Sequence, residues 1–133
     1  MEITSNDYYQ LPQRLLAPLT LVGENGAVKA MMERRGIEER LYDYRCRAAV
    51  HNFGPLQTDA LCYVTTVGSK AVAMCFEAVT TGDIDRVRLD DDALPPVPFN
   101  IDCLNPDYRK AQPETLIITN TERDCLTMME CGY

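Results

Sequence analysis

Two β-rich runs separated by Gly68-Ser69 constrain this chain more than any other stretch. Ala60-Leu-Cys-Tyr-Val-Thr-Thr-Val67 precedes the pair and Lys70-Ala-Val-Ala-Met-Cys-Phe-Glu-Ala78 follows it. Glycine first and a small polar residue second is the chemistry of a type II′ turn, so residues 60–78 predict a tight β-hairpin. Val67 then faces Lys70, and counting outward sets Cys62 opposite Cys75 at a non-hydrogen-bonded position. Opposed Cα atoms there lie about 4.5 to 5.5 Å apart, a separation that suits a cross-strand disulfide. In this register Leu61/Phe76, Tyr63/Met74 and Thr65/Val72 make the core face. Cys62/Cys75, Val64/Ala73 and Thr66/Ala71 make a smaller, more polar face that meets solvent or lines a cavity.

The chain holds six cysteines in 133 residues. Their even count favours pairing, with Cys62, Cys75, Cys46, Cys103, Cys125 and Cys131 as disulfide candidates and an oxidising, extracellular location as the expectation. Buried reduced thiols in a cytoplasmic protein are the alternative. With a single histidine, His51, and no C-x-x-C spacing, the sequence offers no usual zinc site and implies no cofactor. Thirteen basic residues against twenty acidic ones give a net charge of −7 without a basic cluster, which argues against nucleic acid and anionic membrane as partners. The first residues lack the basic and apolar regions of a signal peptide, as expected of a mature secreted chain or a cytosolic start, and no run reaches the roughly 18 apolar residues of a membrane span.

The chain reads as one domain, residues 1–133. Pro12 and Pro18 limit regular structure in the lead-in, and Asn25-Gly26 signals a turn. From Ala27 to about Arg47, Val28, Met31, Met32, Ile37, Leu41 and Tyr44 recur at helical spacing, interrupted by Gly36. A helix ending at Arg35 with a strand beginning near Leu41 is the competing pattern. Arg45 to Phe53 alternates loosely before Gly54-Pro55 breaks it. Gly82 to Leu89 suggests a short strand with Ile84 and Val87 or Leu89 inward, Asp90 to Pro98 a loop, and Asn105-Pro106-Asp107 a turn. Phe99–Leu104, Thr115–Thr119 and Cys125–Met129 read as further strands, the last two joined by a turn near Asn120 to Asp124. The fold class is therefore mainly β, an antiparallel meander or barrel with one helix in the N-terminal half. Its alternative is α+β, with a helix on a curved antiparallel sheet.

Few residues suggest chemistry. Asp83, Asp85, Asp90, Asp91 and Asp92 offer carboxylates to a hard cation such as calcium, but without EF-hand spacing they read as a solvated acidic loop. Cys46 with His51 suggests a thiol and a base, yet no diagnostic motif surrounds either. No nucleophile elbow, phosphate loop or H-E-x-x-H is present, so no catalytic residue is assigned and the protein is expected not to be an enzyme. Tyr8, Tyr9, Tyr42, Tyr44, Tyr63 and Phe76, with Met31, Met32, Met74, Met128 and Met129, serve either as core or as the lining of an apolar pocket.

An early Tyr8-Tyr9, Arg45-Cys46 opening a strand, meandering hairpins, and the late Ile118-Thr-Asn-Thr-Glu-Arg-Asp-Cys125 together resemble the histamine-binding type of lipocalin secreted by ticks. The resemblance touches roughly residues 41 to 129, with Cys46 and Cys125 matching as structural cysteines. It implies an eight-stranded antiparallel barrel whose mouth sequesters a small hydrophobic or cationic ligand. The helix near Ala27–Arg35 and the Cys62/Cys75 pair depart from that pattern. The alternative function is an α+β protein-interaction module or inhibitor that uses an edge strand or a loop.

Overall fold

A computed structural model describes residues 19–43, 45–67, 70–89, 95–101 and 116–131. Four strands, β1 (Cys46–Phe53), β2 (Leu56–Val67), β3 (Lys70–Ala78) and β4 (Ile84–Arg88), form one antiparallel meander in sequence order. The mainly β expectation holds, and the sheet is open among the described residues rather than closed into a barrel.

Helix α1 (Gly26–Arg34) is set at both ends by local chemistry. Asn25 accepts from the amides of Ala27 at 3.1 Å and Val28 at 3.2 Å, so the expected turn signal is in fact an N-cap. Gly36 ends the helix at φ +70°, with its own amide on the Glu33 carbonyl and that of Ile37 on Met32, both at 3.1 Å. This is a Schellman motif, in which an L side chain at the left-handed position is disfavoured. A continuous helix to Arg47 is thereby excluded. A short second helix, α2 (Glu39–Tyr42), follows, and β1 starts at Cys46.

Between β1 and β2, Gly54 at φ +64° precedes Pro55, whose ring fixes a negative φ; that order matches a II′ turn, and Phe53 faces Leu56 across it. In the next hairpin Val67 faces Lys70 as expected, although residues 68 and 69 lie outside the described residues. The register then shifts. Thr66 faces Ala71 but Thr65 faces Ala73, leaving Val72 as the extra residue of a β-bulge. The Val72 carbonyl turns to the other side and accepts from the Leu89 amide at 2.9 Å.

That single inserted residue overturns the predicted cysteine pair. Beyond the bulge Cys75 faces Tyr63 and Cys62 faces Phe76, so the two thiols point to opposite faces of the sheet. The predicted split into a bulky and a small face falls for the same reason. One face carries Cys46, Ala48, Leu61, Tyr63 and Cys75 and packs against Val28, Met31, Met32, Leu41 and Leu126 from the helices. The other carries Ala49, Ala60, Cys62, Val64, Met74 and Phe76, with Phe53, Val87 and Leu89 against them. Ile84, expected inward, is exposed.

The sheet curls strongly: Cα atoms of β1 and β3 come within 8 Å, although two steps of strand spacing would put them about 9.6 Å apart. Small residues such as Ala49 and Ala60 occupy the inside of the curl. His51 of β1 consequently reaches Asp85 of β4, at 2.7 Å.

The late segment departs furthest from expectation. Cys125–Met129 belongs to helix α3 (Glu122–Glu130), capped by the Thr121 hydroxyl, which accepts from the Asp124 amide at 3.1 Å. Residues 116–119 and 99–101 form no strand, while residues 102–115 and the Asn105-Pro106-Asp107 turn expected there lie outside the described residues.

Candidate functional site

The helix-side face of the sheet ends in a cleft of about 570 Å³. Its floor comes from β3 and β4. Arg86 faces Cys75 and Arg88 faces Ala73, and because opposed residues share a face, all four side chains turn toward the cleft. One wall is the segment 96–101 and the other is Leu116–Ile118 leading into Thr121 and Glu122 at the start of α3.

The 96–101 wall is tied to the core through Asn100, the one described non-glycine residue at positive φ (62°). Asparagine tolerates that conformation better than most side chains. Its Oδ1 accepts from Arg45 Nε at 3.0 Å, and its amide lies 3.6 Å from the Met129 sulfur. Phe99 beside it meets the Tyr63 ring edge-on at 5.8 Å. These contacts fix one side of the opening relative to β1, β2 and α3.

Within the cleft, Arg86 bonds the Glu122 carboxylate at 3.2 Å, and Arg88 lies 3.4 Å from the Pro95 carbonyl. Cys75 is only 4% exposed. Burial first, and the Glu122 carboxylate second, push its thiol up to about 12. It stays protonated near neutrality and is a poor nucleophile.

Next to the cleft on the same face lies a second polar group of different character. Glu77 receives both guanidinium branches of Arg35, at 3.0 and 2.8 Å, and the Tyr63 hydroxyl at 2.7 Å. Burial raises the Glu77 carboxyl, but the bonds from Arg35 and Tyr63 outweigh it and hold the group below its ordinary range. Burial and the neighbouring carboxylate raise the Tyr63 phenol. The arrangement is a sealed, satisfied network that joins the end of α1 to the sheet.

The residues singled out from the sequence are dispersed. Cys46 and His51, five positions apart on β1, turn to opposite faces and cannot act together. His51 instead stacks on Phe76, with ring centroids 3.8 Å apart and planes within 4°, and meets Phe53 edge-on. Cys46, Cys62, Cys75, Cys125 and Cys131 are all free thiols, so none of the disulfides expected among these five forms; Cys103 lies outside the described residues. The pattern of pairing fails because strand alternation and the bulge distribute the thiols over two faces and a helix. Asp85 is engaged by His51, while Asp90, Asp91 and Asp92 lie outside the described residues. Among the described residues no cluster of three or more His, Cys, Asp or Glu side chains is arranged to hold a metal.

Met31, Met32, Tyr42 and Tyr63 fill the helix-side core, and Phe76 and Met74 the opposite one. Of the aromatic and methionine set, only Met74 also borders the cleft among the described residues; Tyr8, Tyr9 and Tyr44 are outside them. Arg86, Arg88 and Glu122 were not marked by sequence. Their one available signal was the alternation Arg86-Val87-Arg88, which places two cations on one face of a strand.

Comparison with known proteins gave no family model, no curated protein and no solved structure that matches this chain.

Proposed function

We propose that the protein is a non-enzymatic binding protein that takes a small, largely apolar molecule in the cleft between β3–β4, residues 96–101 and the start of α3. The observation that carries this is the cleft itself. A concavity of about 570 Å³ bounded by Ala73, Phe99, Ile101, Leu116 and Ile117, with a few charged groups on one side, has the size and composition of a small-molecule site. Binding rather than catalysis is favoured because the cleft thiol is held neutral and the only described histidine lies on the other face of the sheet. The described thiols lend no support to an oxidising compartment, so this role does not depend on secretion.

Titration with N-phenyl-1-naphthylamine, an uncharged environment-sensitive fluorophore, tests the proposal. Saturable one-to-one enhancement, lost when Ala73→Phe fills the floor, is the expected result. Non-saturating fluorescence, or saturation unaffected by that substitution, overturns it.

A specific observation favours a second role. Leu116 and Ile118 are 58% and 87% exposed, flanking the partly covered Ile117 in an extended run beside the opening. An apolar strip of this kind suits contact with another protein. Ile118→Lys distinguishes the two: Ile118 edges the cleft wall but is 87% exposed, so the substitution should abolish a protein contact while weakening probe binding far less than Ala73→Phe does.

A further inference from the structure

We infer that the extended run at residues 116–118 is a self-association strand, which pairs antiparallel with the same run of a second copy about a two-fold axis at Ile117. This rests on the protein-contact role proposed above and names the partner.

The run has the chemistry of a strand and no strand beside it. Leu116, Ile117 and Ile118 are 58%, 38% and 87% exposed, and among the described residues their backbone amides and carbonyls take no hydrogen-bond partner. Isoleucine and threonine favour extended pairing, and free amides and carbonyls beside exposed apolar side chains make an open edge. A chain that must stay apart from its copies places a lysine or a proline on such an edge. Residues 115–121, Thr-Leu-Ile-Ile-Thr-Asn-Thr, contain neither.

Two features select a second copy as the occupant. The first is symmetry: Thr115-Leu-Ile-Ile-Thr119 shows the same order of polar and apolar residues from either end. Antiparallel pairing about Ile117 therefore sets Leu116 against Ile118 twice, with a threonine beyond each end. A two-fold contact requires that self-complementarity, whereas a contact with a different protein does not. The second is charge. Each copy carries a net −7, so copies repel wherever acidic surface meets acidic surface, but residues 115–121 hold no charged side chain. Two copies approach here at low electrostatic cost. Three side chains on each copy fall short of the roughly 800 Å² per partner of a standard interface, so the pair forms reversibly and at high concentration.

Sedimentation velocity from about 1 μM to about 1 mM tests the assignment. The weight-average mass should rise from that of one chain toward that of two and level there. Leu116→Glu and Ile118→Lys should each weaken association at least about tenfold, and an equimolar mixture of the two variants should recover much of it. Recovery follows from the register, which sets the new carboxylate of one copy against the new ammonium of the other. Cooperative unfolding of each variant checks that it is folded. Amide exchange at residues 116–118 supplies a second readout, fast in dilute protein and slowed at high concentration.

A mass that stays at one chain, or climbs past two without levelling, overturns the paired copy. Association that survives both substitutions, or a mixture no stronger than either variant alone, does the same. Fast exchange in protein that never associates removes only the second copy and leaves a different protein as the partner. Slow exchange at residues 116–118 in dilute, monomeric protein would show the edge already occupied and would remove the protein-contact role itself.

Discussion

Two guanidinium–carboxylate pairs lie on the same face of the same sheet and serve opposite ends. Arg35 and Glu77 form a bidentate contact roofed by Tyr63, with side chains 16% and 7% exposed. Arg86 and Glu122 make one contact, with side chains 59% and 19% exposed. The first has surrendered its hydration and has every partner in place; the second still shares its donors with solvent. A buried charge held this way is costly to orphan, whereas an open one is cheap to break and easy to redirect. Position relative to the helices decides which outcome a pair takes. Helix α1 ends directly above Glu77, and the cleft opens where that cover stops.

The largest effect should come from orphaning Arg35. Glu77→Ala leaves a mostly buried guanidinium and the Tyr63 hydroxyl without their shared acceptor, at an expected cost of about 3 kcal/mol in urea unfolding. Arg35→Met with Glu77→Leu, which removes both charges, should cost much less than Glu77→Ala alone. A small loss in Glu77→Ala would show that the pair is solvated and would erase the contrast.

The same pair sets a pH dependence. The folded Glu77 carboxyl lies below its unfolded value of about 4.3, because Arg35 and Tyr63 overcome the opposing effect of burial. The folded state therefore gains from ionised Glu77 in full above about pH 4.3 and loses that gain as pH falls through the lower folded value. Stability measured by denaturant midpoint from pH 7 to pH 2 should drop in that acid range, and Glu77→Gln should flatten the part of the slope that belongs to this group. An unchanged slope in Glu77→Gln would assign the acid sensitivity elsewhere.

An intermediate effect is expected at the other end of α1. Asn25 caps the helix through Oδ1 and donates from Nδ2 to Asp59 on β2 at 3.0 Å. Asn25→Ala removes both, for a loss of about 1 to 2 kcal/mol, while Asn25→Asp keeps the cap acceptor but sets two carboxylates together. If Asn25→Asp were as stable as the native chain, the contact to Asp59 would carry no weight and the cap alone would position α1.

How much of this was legible in the sequence differs along the chain for physical reasons. The β2–β3 hairpin pairing and the Val67–Lys70 register follow from local chemistry, and they hold. The bulge at Val72 does not, because its compensation comes from Leu89, a residue seventeen positions away. One unseen residue was enough to separate Cys62 from Cys75. In α3 the helical signal was present, since Thr121-Glu-Arg-Asp124 is a capping-box pattern and Leu126 and Met129 lie three apart, but Cys125, Thr127 and Met129 also alternate as a strand would. Glu77 escaped notice altogether. A glutamate in a strand ordinarily marks the solvent side, and only the fold reveals Arg35 arriving from the end of a helix forty-two residues earlier. The cleft residues were hidden in the same way, since Arg86 and Glu122 meet across a sequence separation of thirty-six.

The smallest stability change should come from opening the second pair. Glu122→Gln removes the carboxylate from an exposed guanidinium, and the expected shift is within about 0.5 kcal/mol, several times less than for Glu77→Ala. Its chemical readout is larger than its energetic one. Because the Glu122 charge helps hold the Cys75 thiol at about 12, neutralising it should lower that value and speed alkylation of Cys75 at alkaline pH. Cys46 and Cys62, fully buried in the same molecule, serve as internal references whose rates should stay unchanged, as peptide mapping after timed alkylation would show. A general rise at all three thiols would instead mean that Glu122→Gln loosens the fold. In that case the Arg86–Glu122 contact would be a structural tie like Arg35–Glu77, not an open pair whose donors can turn to another acceptor.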